Sequence, residues 1–161
     1  MSGSGYAGAA TVTQQSIATY RVDFGALAGV SGQIVEVIGS ATTTVRIIQI
    51  AIWKPSANVN VTFRKQSAAS TGGTSTSPTP VRMNTADAAA TGVVKLYTAA
   101  PTQGTLVGLL VTLNMTPGDT YIDEPGARGG ESIVLNGVAQ TFALTIDATA
   151  TIRGFVEFTE S

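Results

Sequence analysis

The sequence contains no cysteine and no histidine, and it is poor in charge. Without cysteine there is no disulfide, no thiolate metal site and no sulfur nucleophile. Without histidine, Ser-His-Asp and Cys-His arrangements and imidazole metal ligands are excluded. Charged side chains make up 12% of the 161 residues, against about 25% in an ordinary soluble domain. Two readings account for that deficit: surface that is covered by other subunits, or a threonine-rich β surface. Depletion of charge is typical of interface cores, which favours the first. The ten acidic and nine basic residues form no run of either sign, so there is no basic footprint for nucleic acid. No apolar run approaches the roughly 18 residues of a membrane helix. Met1–Gly5 has neither the basic start nor the apolar core of a secretion signal, so synthesis in the cytoplasm is expected.

What is present is a period of two. Tyr20, Val22 and Phe24 alternate with Arg21 and Asp23. Val59, Val61 and Phe63 alternate with Asn60, Thr62 and Arg64. Gln140, Phe142, Leu144 and Ile146 share one face, and so do Ile152, Val156 and Phe158. Such alternation predicts half-buried antiparallel strands with one wet face. Val45–Trp53 and Leu106–Leu113 are apolar on both faces, which predicts central strands or strands covered by a partner. Adding segments 33–38, 93–98 and 132–135 gives about eight or nine strands, separated by Pro55–Asn58, Pro117-Gly118-Asp119, Pro125-Gly126 and Asn136-Gly137. Asn136-Gly137 reads as a hairpin turn, and a short helical turn is expected near Ala86–Ala90. The fold class is all-β: an antiparallel β-sandwich, with the jelly roll as its expected form.

Two segments fall outside this pattern. Residues 1–18 are mainly Gly, Ala, Ser, Thr and Gln, with Tyr6 the one aromatic, and read as an extended arm preceding a sandwich domain at 19–161. Residues 67–91 form a long loop rich in Gly, Ser and Thr. Loops of that length are usually functional or without fixed structure. The arm could add to a neighbour through main-chain hydrogen bonds. Tyr6 and Gly8 in the arm, Thr76, Pro78, Pro80 and Arg82 in the loop, and Trp53 at a strand end are the expected interface residues.

The segment from Arg64-Lys65 through STGGTSTSPTPV (70–81) and NTADAAATGVVKLYTAAPTQGTLVG (84–108) resembles small structural proteins of tailed bacteriophages. GSATTTVRI (39–47) and VLNGVAQTFAL (134–144) extend the similarity to roughly residues 33–160, leaving out the arm. The resemblance implies a virion protein on the capsid surface: a capsid decoration (cement) protein, a head-fibre base or a tail accessory protein. A short single domain without heptads or fibre repeats favours decoration. A homo-oligomer, most simply a trimer, bound to the major capsid protein is then expected. Nucleic acid and membrane are not expected partners, and no cofactor is implied.

The residues leave three chemistries open. Paired carboxylates could hydrolyse a glycoside, but none of the acidic residues forms a distinctive motif, and no enzyme is expected. Asp119, Asp123 and Glu124 could offer oxygens to calcium, against a plain reading as a turn. Trp53, Tyr97 and Tyr121 could form an aromatic platform for sugar, which makes a lectin-like module the alternative function. Gly72-Gly73 lacks the lysine of a phosphate loop.

Overall fold

A computed structural model describes residues 17–125 and 132–161. Among these residues thirteen strands occur: β1 (Ala18–Asp23), β2 (Leu27–Gly29), β3 (Gly32–Ile38), β4 (Val45–Trp53), β5 (Val59–Gln66), β6 (Thr74–Thr76), β7 (Val81–Arg82), β8 (Val93–Ala99), β9 (Leu106–Met115), β10 (Thr120–Asp123), β11 (Ile133–Leu135), β12 (Thr141–Ile146) and β13 (Ala150–Glu160). They form two antiparallel sheets packed as a β-sandwich. The first runs β10-β4-β13-β1-β7, with β11 also on β4 and β2 also on β13; the second runs β6-β8-β3-β12-β5-β9.

Among the described residues, no two strands adjacent in sequence pair with each other. The chain passes from sheet to sheet instead, and this corrects the hairpin expected at Asn136-Gly137. Those residues link β11 in the first sheet to β12 in the second. Gly137 has a φ of +83° and its carbonyl accepts from the Gln140 amide. The Asn-Gly pair therefore turns the corner its conformation allows, but the strands it joins find their partners elsewhere. Pro117-Gly118 likewise carries the chain from β9 to β10, in the other sheet, with Gly118 at a φ of +101°.

The inner faces of both sheets make one core. Val35, Val37, Val61, Phe63, Phe142 and Leu144 of the second sheet meet Ile47, Ile50, Ile52, Ile152, Val156 and Phe158 of the first. Phe63 lies at a crossing of rings, 5.7 Å from Phe142 and 5.9 Å from Tyr121.

Along β12 the outer face of the second sheet is not wet, which corrects the alternation expected for that strand. All six β12 residues are buried. The start of the long 67–91 segment and residues 99–105 fold back over this face. Gly104 permits their close approach, because a Cβ there would stand 1.8 Å from the Ala68 carbonyl oxygen. Beneath them lies a buried polar network. Glu36 accepts from the Tyr97 hydroxyl at 2.8 Å and from the Ser70 amide at 2.9 Å. Ser70 Oγ donates to Gln33 at 3.0 Å, and Thr141 donates to Gln66 at 2.9 Å. Burial, then the Glu36 contact, pushes the Tyr97 hydroxyl well above the ordinary tyrosine range, as expected when a neighbouring carboxylate opposes a phenolate.

A second tie holds the far end of the long segment. The nearly buried Glu160 carboxylate accepts from the amides of Thr91 and Gly92 and from the Thr91 hydroxyl. Residues 67–91 are thus a folded connection carrying β6 and β7, not a bare loop. The helical turn expected at Ala86–Ala90 is absent. Asn84 instead makes a turn, accepting from the Ala86 amide through its side chain and from the Asp87 amide through its carbonyl. An Asx turn of this kind competes locally with helix.

At the opposite end of the sandwich, Asp147 accepts from Asn60 N at 2.8 Å and Asn60 Nδ2 at 2.6 Å. These bonds hold its carboxyl below the usual carboxylate range. A carboxyl held low in the fold stabilises it fully above the unfolded pKa, about 3.9, and that contribution is lost as pH falls through the folded value. Asp147→Asn is therefore expected to melt below the parent at neutral pH and to converge with it in acid. Thermal unfolding followed from pH 7 down to the acid limit measures this. A gap between the two melts that is the same at every pH would refute it.

Candidate interaction surface

Among the described residues, the expected interface residues Thr76, Pro78, Pro80 and Arg82 share one connection and Trp53 lies elsewhere, on β4. Tyr6 and Gly8 lie outside the described residues. Ala18, placed in the arm by the sequence, is already in β1 and opposite Glu160. Thr76 is exposed on β6, at one edge of the second sheet, and Arg82 is exposed on β7, at one edge of the first. The four residues between β6 and β7, with Pro78 and Pro80 among them, carry the chain across this side of the sandwich. Pro80 presets φ where an extended crossing is needed. Arg82 Nη1 donates to the Asp87 carbonyl at 2.7 Å, so it braces its own loop.

Trp53 lies on the other end of the first sheet's outer face, half-buried, with its ring 6.1 Å from that of Phe155. The Arg21 guanidinium stacks over the far neighbour of this pair, 3.6 Å from the Phe155 centroid, and pairs with Glu157 at 2.8 Å. The aromatic platform is overturned. Tyr97 is buried on the outer face of the second sheet, and Tyr121 packs on Phe63 toward the core, so neither shares a surface with Trp53.

The acidic side chains are dispersed and engaged in local structure. Asp23 accepts from the Gly25 amide, Glu124 from Gln49, and Asp119 from the amide and hydroxyl of Thr116. The Asp119 carboxyl is held below its usual range by those two bonds, which is the work of a turn residue. Among the described residues, no three His, Cys, Asp or Glu side chains converge as a metal-binding group.

The surface that stands out is one the sequence placed inside. Leu106–Met115 forms β9, which among the described residues is an edge strand, bonded to β5 on one side only. Its central placement is corrected: the strand stands at the end of the second sheet. Val111, Leu113 and Met115 face the core opposite Phe63, Val61 and Val59. The first half of the strand does not. Leu106 is 44% exposed, Val107 60%, Leu109 61% and Leu110 44%. The register against β5 slips twice there, leaving Val107 and Leu110 as extra residues in bulges. Ile122 on β10, in the other sheet, is also exposed.

Charge is absent from the strand itself, although Arg64 and Lys65 of β5 stand opposite Leu109 and Gly108. Between Lys95 and Asp119 no residue is ionisable as acid or base except the buried Tyr97. Proteins commonly blunt sheet edges with lysine, proline, bulges or short strands. Here the bulges are present and the charges are not. The sequence signal for this surface was that long uncharged interval, more than any single residue.

Comparisons with protein-family models, with curated proteins and with solved structures find nothing that matches this chain.

Proposed function

We propose that this chain is a structural subunit of a particle, working by association and not by catalysis. The observation that supports it is β9: a ten-residue, uncharged, apolar strand edge on an otherwise well-packed sandwich. Contiguous exposed apolar surface of this kind marks interaction sites. Among the described residues, Asp119 and Asp23 serve turns, Glu157 pairs with Arg21, and Glu36 and Glu160 accept from buried donors. The strand orders also support reading the sandwich as a jelly roll. Counting β1/β2, β3, β4, β5, β9, β10/β11, β12 and β13 as strands one to eight, the sheets run 6-3-8-1 and 2-7-4-5, the winding of two Greek keys. The segment from β6 to β8 is then an insertion between strands four and five.

The particle is proposed from the resemblance carried by residues 64–108: the head of a tailed phage, to which the chain binds as a homo-oligomeric decoration protein on the major capsid protein. Many copies making moderate contacts would hold neighbouring shell subunits together through multivalency. Antibody against the purified chain, used in immunogold microscopy of tailed particles from its source culture, tests the assignment. Gold over the heads is the expected result. Gold confined to tails would replace decoration by a tail accessory role, and unlabelled particles would end the virion reading.

A further inference from the structure

The geometry points to a second copy of this chain as the occupant of β9, with the two β9 strands paired antiparallel about a two-fold axis near Leu110. This rests on the reading of β9 as an association surface and names its partner. An occupant must supply a main-chain edge to satisfy the outward N–H and C=O groups of β9. The other uncovered edges among the described residues are short: three residues in β2, three in β6, two in β7, four in β10 and three in β11. The ten residues of β9 are matched in length by another β9.

Charge favours the same partner. Two copies bring together strands without a single acidic or basic side chain, so neither like-charge repulsion nor an ion stripped of water opposes contact. A charged strand would set its ions against Leu106, Val107, Leu109 and Leu110. With the axis near Leu110, residues 106–110 of each copy run beside residues 110–114 of the other, and the two Leu110 residues meet at the axis. The two six-stranded sheets become one of twelve strands.

Symmetry limits the product. A two-fold contact uses the same surface on both chains and closes after two, so the exposed edge is consumed without growing into a fibre. It also gives a pair, where the sequence suggested a trimer. The apolar patch is of the order of a few hundred Å², below the roughly 800 Å² per partner of a standard stable interface. The pair should therefore form and dissociate with concentration.

Light scattering across a wide concentration range tests this on the whole chain and on Leu109→Lys, whose site is too exposed for the change to unfold the domain. The parent is expected to rise from 16.4 kDa to twice that mass, while Leu109→Lys stays at one chain with the same thermal unfolding at low concentration. Because the chain has no cysteine, Leu110→Cys adds a unique thiol. Directly opposed residues in an antiparallel pair lie about 4.5–5.5 Å apart at Cα, within disulfide range, so mild oxidation is expected to give a covalent dimer. A parent that stays single at every concentration, a pair that survives Leu109→Lys, or a mass of three chains would each overturn the inference. A chain that pairs but labels no particle would end the virion reading and leave the pair standing; a single chain that labels heads would do the reverse.

Discussion

Glu36→Ala is expected to lower the unfolding free energy by about 3–5 kcal/mol, through two lost acceptors and the cavity left by the side chain. Glu36 has no exposure to solvent, and it is the common acceptor for the Tyr97 hydroxyl and the Ser70 amide. Removing it strands two buried donors beneath a segment that water does not reach. Each costs on the order of 1–3 kcal/mol when left unpaired. Glu36→Gln keeps the volume and one accepting oxygen, so it should cost less than half as much. The loss should be local as well as global. Ser70 is the point at which the chain after β5 is held to the sheet, and Gly104 N donates to Ser70 Oγ at 3.3 Å. Proteolysis within residues 67–73 and 99–105 should accelerate in Glu36→Ala before the domain unfolds. Denaturant unfolding of the three proteins decides the matter; a Glu36→Ala chain as stable as its parent would mean that apolar packing alone closes this face.

Phe63→Ala should cost a similar amount, about 3–5 kcal/mol, for a different reason. Phe63 is fully buried on β5, the strand between β12 and β9, and touches the rings of Phe142 and Tyr121. Those rings belong to different strands in the two sheets, so the gap cannot be closed by moving one of them without disturbing the other. Phe63 is also the residue opposite Val111. The cavity therefore weakens the anchorage of β9 specifically, and the variant should lose self-association at concentrations where its fold is still intact. Calorimetry beside light scattering separates the two effects. A Phe63→Leu chain, which refills most of the space, should recover the greater part of both.

Much of the sandwich was legible because its core faces obey a period of two. Tyr20 and Val22, Val59 to Phe63, and Ile152 to Phe158 lie on strands where alternation placed them, and Val45–Trp53 is the central strand its two apolar faces suggested. The short strands were not legible. Leu27–Gly29, Thr74–Thr76 and Val81–Arg82 contain two or three residues, too few to show a period, and they exist because a long neighbour already offers an edge. Thr120–Asp123 was read as a loop for its carboxylates, yet it pairs with Ile50–Trp53. The interaction surface was misplaced for a physical reason. A strand apolar on both faces has the same composition whether a second sheet or a second molecule covers it. Only pairing partners tell these apart, and every pairing in this fold is between strands distant in sequence. The same topology implies slow folding, because each contact must close a long loop first.

The central claim is that β9 is an association edge. Deuterium exchange of the amides in residues 106–115, measured at low and at high protein concentration, tests it most directly. Amides already bonded to β5 should exchange slowly at both. The outward-facing set should exchange fast in dilute solution and become protected as concentration rises, with no comparable change in the β6 and β7 edges. Exchange of β9 that is independent of concentration, or protection that grows at another edge instead, would contradict the account.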